Sequence, residues 1–241
     1  MVDGYCDSAF AQVREVFEAS FADGRNLGGA VAVSVGGTIV VDLWGGVADR
    51  RSGRVWERDT PCVCFSSTKA LTATAALQVA DGSGVDLEAP VIEWWPEFAA
   101  HGKEATTLTD LLTHRAGLPA FDRPVTAAEA QHPDQLAAQL AGQTPEWEPG
   151  ARHGYHALTF GWLVGEFVRR ATGDTVGAYV RRNFGEELAI GARPDEIARA
   201  ARMANPPAEE TISSAAGFDP ETVSRLAAAY ADPNSAVMRG T

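Results

Sequence analysis

Two β-rich runs face each other across a glycine pair: Gly29-Ala30-Val31-Ala32-Val33-Ser34-Val35, then Gly36-Gly37, then Thr38-Ile39-Val40-Val41-Asp42-Leu43-Trp44. A two-residue loop of this kind needs backbone with positive φ, which glycine supplies, so the pattern predicts a β-hairpin. The hairpin constrains everything else. A lone pair of strands is marginal in water and must gain further strands or a helical layer. No run after residue 43 reads as another strand, and a polar loop rich in Arg, Asp and Gly covers roughly 45–60. The remaining signals are helical, so the chain reads as α+β: a helix, an antiparallel hairpin, then a long helical block.

Phe10, Val13, Phe17 and Phe21 fall at helical spacing behind Asp7 or Ser8 as N-cap. A helix opens near Ser66 and stops at Asp81-Gly82. Thr107-Leu108-Thr109-Asp110 is a capping-box pattern opening a short helix that ends near Gly117-Leu118-Pro119. Residues 122–150, with Pro124, Pro133, Pro145 and Pro149, read as loop-rich. An amphipathic helix is predicted from His156 to Ala171, closed by Gly173, and another from the Asp174-Thr175 cap to Phe184. Glu221 to Tyr230 reads as one more helix. The organisation expected is an N-terminal helix and hairpin over 1–65, a mainly helical domain over 66–190, and a tail over 191–241 leading towards further strands.

Composition excludes several function classes. The net charge of −12 is spread along the chain, 9 basic against 16 acidic groups in residues 1–120 and 11 against 16 in 121–241. Without a basic patch, neither nucleic acid nor an anionic membrane is an expected partner. Cys6, Cys62 and Cys64 form neither a disulfide framework nor a zinc pattern, and the alternation of Cys62 and Cys64 with Val63 and Phe65 reads as buried thiols. Neither a signal peptide nor a transmembrane run is read in the sequence, so the cytoplasm is the expected location.

Ser66-Ser67-Thr68-Lys69 carries chemistry. On a helix, positions i and i+3 share a face, so the Ser66 hydroxyl and the Lys69 amine can meet. A serine hydroxyl is a weak nucleophile until a base takes its proton, and a lysine desolvated in a pocket can be that base. Two lysines and eleven serines in 241 residues give about 0.09 such pairs by random placement, so context must decide. A third group should relay the leaving-group proton. Tyr155, just after the Pro149-Gly150 turn and at a predicted helix start, is the candidate.

Three stretches occur in order: Phe65-Ser66-Ser67-Thr68-Lys69, Leu111-Leu112-Thr113-His114-Arg115-Ala116-Gly117-Leu118-Pro119 and Gly154-Tyr155-His156-Ala157-Leu158-Thr159. Together they resemble the serine β-lactamase-like superfamily, and within it the family VIII carboxylesterases, relatives of class C β-lactamases. The resemblance extends over most of residues 25–185. It implies a β-lactamase/penicillin-binding-protein-like fold, an antiparallel sheet with flanking helices plus a helical domain, with Ser66 as nucleophile, Lys69 as its base and Tyr155 as second acid/base residue. Class C β-lactamases have Tyr-x-Asn where this chain has Tyr155-His156-Ala157, and losing that amide favours esters over β-lactams.

The resemblance also implies a third motif, Lys-Thr-Gly or a His/Trp-Gly-Gly variant, on a C-terminal strand that supplies one oxyanion-hole N–H. None follows Tyr155; Trp44-Gly45-Gly46 has the letters but precedes Ser66 and is read as closing the hairpin. The chain therefore reads as the N-terminal portion of a longer enzyme, lacking the C-terminal strands of the sheet.

The expected activity is hydrolysis of small-molecule carboxylic esters through an acyl-enzyme, without a cofactor or metal. A β-lactamase or D-Ala-D-Ala peptidase on the same fold is the enzymatic alternative. An inactive fragment or scaffold that assembles with a complementary C-terminal segment, or as a homo-oligomer, is the alternative from another class. His114, His153 and His156 invite a Ser–His–Asp reading, but no G-x-S-x-G elbow surrounds any serine. Trp94, Trp95 and Trp147 read as packing, and Arg169-Arg170 as a solvated helix face.

Overall fold

The computed structural model describes residues 1–204 except 23 and 25; the Glu221–Tyr230 helix and most of the 191–241 tail lie outside the described residues. The described chain divides into two compact units, 1–63 with 192–204, and 64–191.

In the first unit, β2 (Gly28–Val35) and β3 (Thr38–Asp49) form the predicted hairpin, in register Val31 with Leu43 and Ala32 with Asp42. Two further strands join β3 antiparallel: β1 (Val2–Cys6) and the two-residue β4 (Arg54–Val55), so the order is β1-β3-β2 with β4 also on β3. The hairpin thus gains the strands it needs, partly from the stretch expected as a polar loop. Trp44-Gly45-Gly46 does not close the hairpin; it lies inside β3, paired with Val2 and Gly28. Gly46 adopts φ +80°, and a Cβ there would lie 2.2 Å from the Leu27 carbonyl oxygen. That kink shifts the inward alternation from Val41, Leu43 and Gly45 to Ala48, and only glycine permits it.

Asp7 caps a single 3-10 turn by accepting from the Ala9 N–H at 2.8 Å, and α1 (Ala11–Ala19) follows. The last helix of this unit is α8 (Pro194–Arg199), after which the Ala201 and Arg202 N–H groups donate to Pro61 O and Ala48 O.

The second unit is helical: α2 (Thr68–Ser83), α3 (Leu108–Leu112), α4 (Ala127–Ala130), α5 (Pro133–Gly142), α6 (Thr159–Thr172) and α7 (Val176–Phe184). Its core is apolar, with Ala75, Ala76 and Val79 of α2, Leu136 and Leu140 of α5, and Leu163, Val164 and Phe167 of α6 buried around Trp95 and Phe98. The small side chains of α2 let α6 pack closely on it. α2 runs two residues past the expected Gly82 stop, to a left-handed Gly84. α3 carries the predicted capping box but ends at Leu112, because His114 takes φ +61°. α5 was hidden inside the proline-rich stretch.

Two polar features stand out. Arg169 and Arg170 are not simply solvated, since both bind the buried Glu166 carboxylate, at 2.7 and 2.6 Å. Lys103 is completely buried, with Nζ donating to Ala100 O at 2.6 Å and Gln143 O at 2.5 Å; burial lowers its pKa to about 8. Cys62 and Cys64 are exposed, since 61–64 is irregular backbone to which strand alternation does not apply. Among the described residues no helix is long and apolar enough to cross a membrane, and no cluster of three His, Cys, Asp or Glu is placed to hold a metal.

Candidate active site

Ser66 sits in a 3-10 turn (Phe65–Ser67) that runs directly into α2. Phe65 adopts φ +43°, a left-handed conformation costly for a bulky residue, of the kind that clusters at functional sites. The turn leaves Ser66 exposed while Lys69, in the first turn of α2, reaches back towards it. Lys69 Nζ donates to Ser66 Oγ at 3.2 Å and to Ala157 O at 2.7 Å. Its Nζ also lies 4.9 Å from the Tyr155 ring centroid and 5.9 Å from that of Phe160.

Tyr155 comes from the loop before α6, 89 residues away in sequence, and its hydroxyl donates to Ser66 Oγ at 2.6 Å. All three predicted residues therefore meet within the second unit, around one oxygen. Burial pulls the Tyr155 phenol up, but hydrogen bonding with Ser66 and Lys69 and the charge of Lys69 outweigh it, and the net pKa is lowered.

Tyr155 is held by a loop-on-loop scaffold that links the second and third sequence stretches. The Gly154 N–H donates to His114 O at 3.0 Å, the Glu146 N–H to Gly117 O at 2.8 Å, and the Gly150 N–H to Arg115 O at 3.0 Å. Gly117, at φ +75°, sits where a Cβ would be 2.4 Å from Trp147 O. Thr159 Oγ1 donates to Leu118 O at 2.6 Å. Within this scaffold His156 is fully buried, accepting the Leu118 N–H at Nε2 (3.0 Å) while Nδ1 lies 2.6 Å from Gly154 O. The His114 ring contacts Tyr155, with ring centroids 4.9 Å apart.

Burial lowers both histidines to about 4, helped at His114 by the charge of Lys69. The side chains bonded to Ser66 Oγ are Lys69 and Tyr155, so the arrangement is not a histidine triad. The sequence reading weighs these histidines as triad members and gives no sign of their contacts with the backbone around Tyr155.

Chemically, an amine and a phenol converge on one hydroxyl at the start of a helix. Comparison with known proteins gives the same direction. Esterase/beta-lactamase LipL of Mycobacterium tuberculosis is 38% identical over 208 residues, covering 86% of this chain and 46% of LipL. A crystal structure of a family VIII carboxylesterase superimposes with TM-score 0.79 at 38% identity, over 85% of this chain and 57% of that one. A penicillin-binding protein homolog from Caulobacter crescentus gives TM-score 0.81 at 39% identity, over 86% and 57%. The chain spans about half the length of these relatives. The sequence pattern of the beta-lactamase family matches residues 13–236, and with that fold and those relatives the chain belongs to the beta-lactamase family.

Proposed function

We propose that this chain carries the nucleophile and proton carriers of a serine hydrolase that cleaves carboxylic esters through an acyl-enzyme. The observation that supports it most is the double approach of Lys69 Nζ and Tyr155 Oη to Ser66 Oγ. Ser66 Oγ attacks the ester carbonyl carbon, and Lys69 takes the serine proton as the new C–O bond forms. When the tetrahedral intermediate collapses, the bond to the alkoxy oxygen breaks and Tyr155 delivers a proton to that oxygen, releasing the alcohol. Water then attacks the acyl-serine, giving up a proton to the same pair; the bond from the acyl carbon to Ser66 Oγ breaks, the pair returns a proton to Oγ, and the acid leaves.

Esters are favoured over β-lactams because position 157 is alanine. Its backbone carbonyl is committed to Lys69, and it has no side-chain amide to receive a β-lactam's amide group. The family VIII carboxylesterase supports the same choice, whereas LipL is named for both activities. A complementary C-terminal segment is part of the proposal: these relatives are about one and a half to two times as long, and β2 pairs with β3 alone among the described residues. That segment would supply the second oxyanion donor, worth about 10²–10³ in turnover.

The test is fluorophosphonate labelling of the native particle, read by intact mass, beside turnover of p-nitrophenyl esters and nitrocefin. The expected result is one label on Ser66, lost in Ser66→Ala, with ester turnover exceeding nitrocefin turnover. A native, folded particle that takes no label at Ser66 refutes the reading.

A further inference from the structure

We propose that His114 and His156 are positioning residues for Tyr155: a pair of neutral imidazoles that lock the backbone on both sides of it and hold its phenol on Ser66. The inference rests on the reading of Tyr155 as a proton carrier, but its geometry stands apart from that reading.

Hydrogen bonds fix the protonation pattern. His114 Nδ1 accepts the His156 backbone N–H at 3.1 Å, so its single proton sits on Nε2. His156 Nε2 accepts the Leu118 N–H at 3.0 Å, so its proton sits on Nδ1 and is donated to Gly154 O at 2.6 Å. The two rings are thus opposite tautomers. Each has an acceptor facing a backbone N–H, and protonating either would set two N–H groups against each other. With the Gly154 N–H bonded to His114 O, three bonds bracket residue 155: on its N-terminal side through both polar groups of Gly154, and on its C-terminal side through the His156 N–H.

The side chain is held as well. His114 packs against the Tyr155 ring at a 62° interplanar angle, and Lys69 Nζ sits 4.9 Å from that ring's centroid. The left-handed backbone of His114 puts its ring there; histidine tolerates that conformation better than most residues. The groups facing His114 are Lys69 of α2, His153, Tyr155 and His156 of the loop before α6, and Phe160 of α6. On its own segment Asp110 and Arg115 are paired with each other at 3.8 Å. Among the described residues, the rings placed against His114 come with no carboxylate, and its depressed pKa agrees with a neutral state.

The experiment follows the phenol itself. In protein labelled with carbon-13 at the tyrosine ring carbon bearing oxygen, Tyr155→Phe identifies the resonance, and its titration reports whether the phenol remains beside Lys69. In the wild type it titrates below an ordinary tyrosine. His114→Ala, which removes both ring and acceptor, moves the midpoint up towards that of an ordinary tyrosine; His114→Asn, which keeps an acceptor and tolerates positive φ, restores it. His156→Gln keeps an acceptor for Leu118 but loses the bond to Gly154 O, and shifts the midpoint in the same direction.

Turnover per fluorophosphonate-titrated site falls about tenfold or more in His114→Ala with KM little changed, as loss of an aligned proton donor requires. An unchanged Tyr155 titration in a folded His114→Ala or His156→Gln protein overturns the inference. If neither variant folds, nitrogen-15 spectra of the wild type decide: a cationic imidazole near pH 7, or a proton on Nδ1 of His114, overturns it. If the Tyr155 midpoint shifts while Ser66 takes no label, the positioning role stands and the hydrolase reading falls.

Discussion

His156 makes the folded protein sensitive to mild acid. Its imidazole is fully buried and its pKa falls from 6.5 to about 4. Burial disfavours the imidazolium only in the folded state, so between those values the unfolded chain holds a proton that the folded chain refuses. The stability involved is complete above pH 6.5 and drains away as the pH falls towards about 4. At about 1.4 kcal/mol per unit, the loss over that window is about 3 kcal/mol. His114 contributes in the same direction, but it is less buried and water screens its share.

The assay is denaturant unfolding followed by tryptophan fluorescence from about pH 7 to about pH 4, comparing wild type with His156→Gln. Glutamine takes up no proton, so the variant's profile is flatter, and losing the bond to Gly154 O makes it less stable at neutral pH. Carboxylates titrate in both proteins and cancel in the difference. The two curves converge by about 3 kcal/mol across the window; parallel curves would show that the buried ring is not the source and refute the argument.

Three other perturbations test separate parts of the structure. Tyr155→Phe lowers turnover of alkyl esters by about 10²–10⁴ but of p-nitrophenyl esters much less, because nitrophenolate leaves without a proton; equal losses would remove Tyr155 as the acid. Gly117→Ala destabilises by more than about 2 kcal/mol in denaturant melts, since a methyl group would strike Trp147 O from a left-handed backbone. A midpoint within error of wild type would show that the loop gives way. Glu166→Ala leaves Arg169 and Arg170 without their shared buried carboxylate and costs about 1–3 kcal/mol, read as a lower Tm; an unchanged Tm would show that water replaces the carboxylate at no cost.

The site was legible in the sequence wherever a local spacing carried it. Ser66 and Lys69 are one helical turn apart, and a turn signal placed Tyr155. Gly36-Gly37 marked the hairpin, and Thr107 with Asp110 marked a helix start that the structure shows in full. What was missed depends on partners distant in sequence or on local signals that point elsewhere. β1 is five residues including Asp3 and Gly4, poor strand formers made into a strand by the edge of β3. α5 begins at Pro133, where the missing N–H costs nothing, so the proline that suggested a loop instead opens a helix. His114 and His156 are 42 residues apart in sequence, and their roles depend on backbone groups that no side-chain pattern displays.

The chain has only two lysines, and the fold places them in opposite circumstances. Lys103 is sealed inside the helical unit, whereas Lys69 stands at the mouth of the site. Amine-reactive footprinting therefore yields two independent reports from one digest. Modification at Lys103 counts molecules that have opened, and protection at Lys69 counts sites that are occupied. A ligand bound beside Ser66 slows the second reaction directly, and slows the first only to the extent that it stabilises the fold.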